Sequence, residues 1–428
     1  MRMTKRALFF LFLNVSFIAY PQDTIRIMQY NLMYYGQTTT YCTVANNPMA
    51  TKDVSLKKIV RYVKPDIFTA NEIAPNTSTH QHILDNILNI NGITHFRKGS
   101  ITNLSGSDLS NGMFYNSDKL ALLSQKNIMT SVRDINIYNF YYKANNLAST
   151  NDTAYLTCIV MHLKAGSYPA DETERAVQTN KLMTYLNSLN KKANYLLMGD
   201  FNVYSSDEAC FQNIINHSNA NIRFYDPVNM VGSWSGNYVY CDVHSQSTHS
   251  SSSGCFSTGG LDDRFDFILQ SEYIKNGTQH FQYLSGSYKT IGQDGNHFND
   301  AVTDGINNSA PDSIIDALYQ MSDHLPVVMN LKVNQTVGSD ELQAGNIDVF
   351  FPNPVTDYLR LSLMTRTVST LEFSIINLLG QKVFAASYES DGSFFNYQIP
   401  VGSFTQGIYF LTVTDGKSKP VTKKFLIK

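Results

Sequence analysis

The chain has 428 residues, 43% hydrophobic and 16% charged, which excludes a disordered or fibrous protein. That length suits roughly two to three domains. Glycine (24) and proline (12) are at ordinary levels, which excludes collagen-like and Pro-rich architectures. With 33 basic against 35 acidic residues the formal charge is −2, so no anionic partner is gripped through bulk charge, although an enzyme with a local basic or metal-containing cleft stays open.

Residues 1–22 read as a secretory signal peptide. Arg2, Lys5 and Arg6 supply the positive start, Ala7 to Ile18 the apolar run, and cleavage is expected between Ala19 and Asp23. No later stretch has the apolar length of a membrane span. A soluble, exported, monomeric protein is expected, secreted or held at the cell surface. Export permits disulfides. Cys241 and Cys255 bracket a Ser-rich loop and are the expected pair; the rival reading is a metal site built from Cys241, His244, His249 and Cys255. Cys158, in an apolar run, reads as a buried thiol.

From residue 23 to 333 strand-like and helix-like stretches alternate, the pattern of an α/β domain. Thr24 to Leu32 reads as a strand. Leu56, Ile59, Val60 and Val63 have helical spacing, and Pro65 ends that helix. Asp66 to Ala70, Ala154 to Leu163, Asn194 to Met198, Phe265 to Leu269 and Pro326 to Leu331 read as further strands. Asp171 to Leu189 reads as a helix capped by Asp171. Residues 334–346 are polar and read as a linker. Residues 347–428 switch to short β-branched and aromatic runs with regular turn residues, the pattern of a small all-β sandwich.

The polar residues that stand out each fall at the end of an apolar strand: Asn31, Glu72, His162, Asp200 with Asn202, Asp266, and Asp323 with His324. Polar groups at strand ends can converge in one cleft while the apolar strands hold them rigidly. Asn31, Glu72, Asp200 and Asp323 are hard oxygen donors that suit Mg²⁺ or Mn²⁺, with Ca²⁺ as a further option. His162 and His324 can act as general base or phosphate-oxygen donor, and Asp266 can orient His324. The set is what metal-assisted attack of water on a phosphodiester requires. Taken singly, each residue also fits a turn, a solvated strand end or a core histidine.

In Gln29-Tyr30-Asn31, Asn71-Glu72, His162-Leu163-Lys164, Gly199-Asp200-Phe201-Asn202, Arg264-Phe265-Asp266 and Ser322-Asp323-His324 the chain resembles the endonuclease/exonuclease/phosphatase superfamily of deoxyribonuclease-I-like enzymes. The resemblance implies a four-layer α/β/β/α sandwich over residues 23–333, with the cleft at one edge of its sheets. It implies that Asn31 and Glu72 hold the metal with Asp323 completing or supporting the site. It further implies that Asp200 and Asn202 orient water and phosphate, that His324 with Asp266 is base or phosphate contact, and that His162 stabilises the phosphoryl oxygens. Arg133 and Tyr115 fall near positions that contact phosphate in relatives and equally suit strand residues. Departures are Ile73-Ala74 after Glu72, with no Arg for a DNA groove, and Leu261-Asp262-Asp263-Arg264 where inositol phosphatases carry a Trp-Cys-Asp-Arg signature. The polar loop Tyr240 to Gly260 either rims the cleft and reads the substrate or is only a surface loop.

Residues 347–428 resemble the bacteroidete type IX secretion sorting domain, in Phe351-Pro352-Asn353-Pro354, Asn377-Leu378-Leu379-Gly380-Gln381, Gly407-Ile408-Tyr409 and the basic end Lys423-Lys424. That implies the type IX machinery as a partner. The expectation is a secreted, metal-dependent phosphodiesterase acting as a nuclease on extracellular DNA or RNA. The alternatives are a phospholipid, sphingolipid or small-molecule phosphoesterase on the same fold, and a catalytically silent surface-binding protein.

Overall fold

The computed structural model describes residues 23–144, 153–251, 254–334, 347–365, 368–391, 394–416 and 420–428. The expected signal segment 1–22 and all of the expected linker but Asn334 lie outside the described residues. In chain order the first part runs β1 (Thr24–Tyr35), α1 (Met49–Val63), β2 (Ile67–Ile73), α2 (Thr77–Ile83), β3 (Phe96–Lys98), β4 (Ser110–Asn116), β5 (Leu120–Ile128), β6 (Ile135–Tyr142) and β7 (Tyr155–His162). It continues with α3 (Pro169–Leu189), β8 (Tyr195–Asp200), α4 (Ala209–Ile215), β9 (Phe224–Tyr225), β10 (Asp266–Ser271), α5 (Glu272–Asn276), β11 (Phe281–Tyr283), β12 (Lys289–Thr290), α6 (Asp312–Met321) and β13 (Val327–Val333). One sheet has the order β11-β13-β1-β2-β4-β3, with β12 on β13; the facing sheet has the order β5-β6-β7-β8-β10-β9.

Strand alternation builds the layers. Successive side chains point to opposite faces, so each strand feeds two cores. Met28, Tyr30 and Leu32 of β1 pack outward with Leu56, Ile59 and Val63 of α1 and Leu318 of α6. Ile25 and Ile27 point inward and meet Cys158, Val160, Leu196, Met198 and Ile268 of the facing sheet. Ile159, Leu197 and Phe267 point out the other way against Leu182 and Leu186 of α3 and Phe211 of α4. The result is a four-layer α/β/β/α sandwich, as the sequence leads one to expect.

Residues 347–428 form a separate all-β region. Its strands are β14 (Ile347–Phe350), β15 (Tyr358–Thr365), β16 (Val368–Asn377), β17 (Lys382–Asp391), β18 (Phe394–Pro400), β19 (Gly407–Thr414) and β20 (Val421–Ile427). They make antiparallel sheets β14-β15-β18 and β17-β16-β19-β20, whose inner faces share one core that includes Leu361, Leu363, Phe373, Ile375, Leu411 and Phe425.

Two details differ from expectation. Helix α3 starts at Pro169 with Tyr168 as N-cap, and Asp171 sits three residues in, where its carboxylate accepts from the Tyr168 N–H. Pro169 takes the first helical position, where its missing N–H is no loss, and this pulls the start forward. The disulfide joins Cys255 to Cys42, not to Cys241: the Cα atoms of Cys42 and Cys255 are 4.7 Å apart although 213 positions separate them in sequence. The loop after β1 meets the 247–257 loop in space, whereas Cys241 stays free and partly buried in the short turn Tyr238–Val243. Cys158 is a buried free thiol, as expected. The rival metal arrangement does not form either. Cys255 is oxidised, His244 Nε2 sits 2.8 Å from the Trp234 carbonyl, and His249 is sandwiched between the rings of Phe256 and Tyr319.

Candidate active site

The site is the polar continuation of the inner strand faces. Along β7 the inward residues run Leu156, Cys158, Val160, then His162; along β8 they run Leu196, Met198, then Asp200. Strand register puts His162 beside Asp200 and Asp200 beside Asp266, so the three form one row across β7, β8 and β10. Asn31 and Asn71 form the matching row across β1 and β2. The period of two that fills the core with apolar side chains therefore delivers polar ones to a single cleft at the strand ends.

Three backbone features let the rows close. Gly199, at φ +147°, has no room for a side chain: a Cβ there would lie 1.7 Å from the Met161 carbonyl oxygen on the parallel neighbour. Glu72 and Asn202 both adopt left-handed backbone, at φ +58° and +51°. Such a conformation is unusual for a non-glycine residue, and in Glu72 it coincides with a register shift between β2 and β4.

The side chains form one connected set. Asn31 Nδ2 donates to Glu72 Oε1 (3.1 Å) and Asp200 Oδ2 (2.9 Å) and lies 3.4 Å from His324 Nε2. Asn31 Oδ1 accepts from the Met33 N–H, so this residue faces the carboxylates with its amide nitrogen. His162 Nε2 lies 3.4 Å from Asp200 Oδ2 and 3.7 Å from Glu72 Oε1, while its buried Nδ1 has no hydrogen-bond partner among the described residues. Burial, with Arg133 and His324 adding, holds the His162 pKa well below the usual imidazole range, so the ring is neutral. Asp200 is fastened by Asn71 Oδ1 on its backbone N–H (2.9 Å) and by the Asn202 N–H on Oδ1 (3.0 Å). Burial, helped by Asp266 and Glu72, pushes its carboxyl up to about 7.

His324 Nδ1 lies 2.7 Å from Asp266 Oδ2, and the hydroxyl of Ser245 donates to the same oxygen at 2.8 Å. Burial opposes the charge on His324, but Asp266 and Asp200 outweigh it and carry its pKa well above the usual value. The side-chain amide of Gln246 meets His324 Nε2 at 2.7 Å, which brings the polar loop 240–260 to the cleft. Asp323 is adjacent in sequence, yet its Oδ2 accepts from the Ser257 N–H at 2.9 Å. Arg133 borders the site through Leu163, whose carbonyl accepts from both Arg133 Nη1 (3.1 Å) and Asn202 Nδ2 (3.3 Å).

Tyr115 is not at the site. It pairs with Ile67 at the far end of β2, and its ring packs edge-on against Phe140 (5.0 Å) in the core between the sheets. Sequence reasoning assigned no role to Asn71, Ser245 or Lys52. Asn71 stood beside Glu72 in a quoted motif, which was the available signal; Ser245 and Lys52 carry none in one dimension.

Glu72, His162 and Asp200 each offer a ligand atom, and these atoms lie within 4.8 Å of one another. Two carboxylates and a neutral imidazole fit a divalent cation such as Mn²⁺ or Mg²⁺. Such a cleft at the edge of two facing sheets suits the hydrolysis of a phosphate ester. Residues 28–324 match the model of the Endonuclease/Exonuclease/phosphatase family, and the chain belongs to that family. Its enzymes are generally dependent on a divalent metal. Residues 349–428 match the Secretion system C-terminal sorting domain, which marks the chain for type IX export to the cell surface or extracellular space.

Similar solved structures include the human nocturnin catalytic domain with bound sulfate (15% identity, covering 73% of this chain and 98% of that one, TM-score 0.43). An endonuclease/exonuclease/phosphatase from Bacteroides vulgatus is similar at 13% identity, with 73% and 100% covered and TM-score 0.45. A mannosyl-6-phosphatase from Bacteroides thetaiotaomicron is similar at 16% identity, with 72% and 99% covered and TM-score 0.43. No curated protein matches the chain.

Proposed function

We propose that the protein is an exported, divalent-metal-dependent phosphodiesterase, with residues 23–333 as its catalytic domain, 334–346 as linker and 347–428 as sorting domain. The observation that carries this reading is the convergence of Glu72, His162 and Asp200 on one point beside the His324–Asp266 pair. Glu72, Asp200 and His162 would hold the cation, with the Asn31 amide orienting the Glu72 and Asp200 carboxylates; Asp323, expected as a ligand, is engaged by the Ser257 N–H instead. A bound divalent ion supplies Lewis acidity to a phosphoryl oxygen. Asp200 and Asn202 orient the attacking water. His324 is held as imidazolium by Asp266 and presents Nε2 to a phosphoryl oxygen, where charge grows in the transition state. Arg133 adds positive charge at the rim.

The substrate follows from charge. Loop 201–208, which follows β8, loop 232–264, which leads into β10, and loop 292–311, between β12 and α6, together carry eight carboxylates against one basic side chain, Arg264. Arg264 is itself buried and paired with Asp226 (2.8 Å). Nucleic acid binds through many phosphates, each needing a cation, so DNA or RNA as substrate is engaged locally and weakly. The same observation favours a second reading, a small phosphoester with one phosphate.

The test uses the full chain and its His324→Ala variant with plasmid DNA and Mg²⁺, with and without EDTA. Nicking that needs both the metal and His324 supports the nuclease reading. Hydrolysis of small phosphoesters with the plasmid left intact moves the assignment to the second. No metal-dependent hydrolysis of either overturns both.

A further inference from the structure

Lys52, on α1, is 1% exposed, and its ammonium spends all three N–H groups on backbone carbonyls: Leu32 O (2.8 Å), Met33 O (2.7 Å) and Met321 O (2.7 Å). Those carbonyls belong to two segments that flank the site. Leu32 and Met33 follow Asn31 at the point where β1 turns into left-handed backbone, with Met33 at φ +42°. Met321 ends α6 and precedes Ser322-Asp323-His324. The same junction is tied again by Ser322, whose hydroxyl donates to the Asn31 carbonyl (2.7 Å) and accepts from the His324 N–H (3.1 Å). Beyond the turn, the Tyr34 N–H donates to Glu72 Oε2 (3.1 Å). Burial pulls the Lys52 pKa down to about 7, and the carboxylates of Asp323 and Glu72 oppose it on the side of the charged form. A buried cation is costly unless fully paired, and here its partners are the backbone of the site itself.

We propose that Lys52 is a positioning residue: its buried ammonium pins the end of β1 to the end of α6 and thereby sets the distance between the Asn31–Glu72 side of the site and Asp323–His324. The functional part of this inference rests on the metal-dependent hydrolase reading above. Without the ammonium, the Leu32 and Met321 carbonyls lose this donor, Met33 keeps only Asn47 Nδ2 (3.3 Å), and the two segments separate or relax. A residue that merely filled space would affect stability alone.

The test compares the full-length protein with Lys52→Met, which keeps the apolar stem, and Lys52→Arg, which keeps charge and donors. Three quantities are read: the Mn²⁺ dissociation constant, kcat and KM on bis(p-nitrophenyl) phosphate, and amide exchange by residue. For Lys52→Met the expected results are a Mn²⁺ dissociation constant raised at least tenfold, kcat lowered at least tenfold and KM within twofold. Exchange should accelerate at 31–34 and 321–324 but not in β7, β8 or β10. Lys52→Arg should recover Mn²⁺ binding to within about threefold of the parent. Should Lys52→Met not fold, Lys52→Gln, with two of the three donors, is read in the same way. A folded variant with a lower urea midpoint but unchanged Mn²⁺ affinity, kcat and local exchange overturns the proposal. If the parent protein hydrolyses no phosphoester, the hydrolase reading fails, while Mn²⁺ affinity and local exchange still decide the role of Lys52.

Discussion

Asp266 Oδ2 and His324 Nδ1 lie 2.7 Å apart, and both residues are almost wholly buried. The pair joins the first residue of β10 to the approach of β13, so it crosses from one sheet to the other. Because the carboxylate favours the imidazolium, the proton on Nε2 persists to higher pH than on a free histidine.

Asp266→Asn keeps the shape and removes the charge. The His324 pKa should then fall. Activity that needs the imidazolium is lost as pH rises through that pKa, so the alkaline limb of the rate profile should move to lower pH. At neutral pH the loss in kcat/KM should be roughly 10²–10⁴-fold. A pH–rate profile with an unmoved alkaline limb would show that His324 does not act as the acid form.

Gly199→Ala should destabilise severely, by about 3 kcal/mol or more. The added Cβ meets the Met161 carbonyl at 1.7 Å, and the position has φ +147°, so neither the neighbour nor the backbone can give way cheaply. Urea unfolding of the variant checks this; a shift under 1 kcal/mol would mean that β7 and β8 separate without penalty.

Removing the disulfide by Cys42→Ser should cost about 2–5 kcal/mol, because it closes a long loop. Cys241→Ser should leave both the disulfide and the stability nearly unchanged. Peptide mapping under non-reducing conditions should recover Cys42 linked to Cys255, and a Cys241–Cys255 peptide would refute the pairing.

His80 gives a pH dependence away from the site. Burial, with Lys98 adding, lowers its pKa to about 3, against about 6.5 for an unfolded histidine. The unfolded chain therefore binds the extra proton below pH 6.5, and the stability due to neutral His80 is full above that value. It is lost as pH falls toward 3, at about 1.4 kcal/mol per pH unit. His80→Leu should flatten that part of the curve, since Ser110 keeps its bond to the Ile73 carbonyl. Equal slopes in parent and variant between pH 6 and 4 would refute it.

Tyr115→Phe should leave kcat and KM unchanged, whereas Tyr115→Ala should cost about 3–5 kcal/mol of stability. Both follow from its ring packing in the inter-sheet core. A selective rise in KM for Tyr115→Phe would place the hydroxyl in contact with substrate.

The sequence by itself determined the four-layer class, the eight strand-end residues from Asn31 to His324, and the all-β tail. These rest on alternation and on motifs confined to a few neighbouring positions, which one dimension records. Only the tertiary structure decided that Cys42 is the partner of Cys255, that Asp323 turns to the Ser257 N–H, that Tyr115 lies in the core, and that Lys52 joins Leu32 and Met33 to Met321. Each of these depends on which loops meet in space and on where an exit turn aims a backbone group. Such contacts span up to 269 positions, between Lys52 and Met321, and leave no local periodicity in the chain.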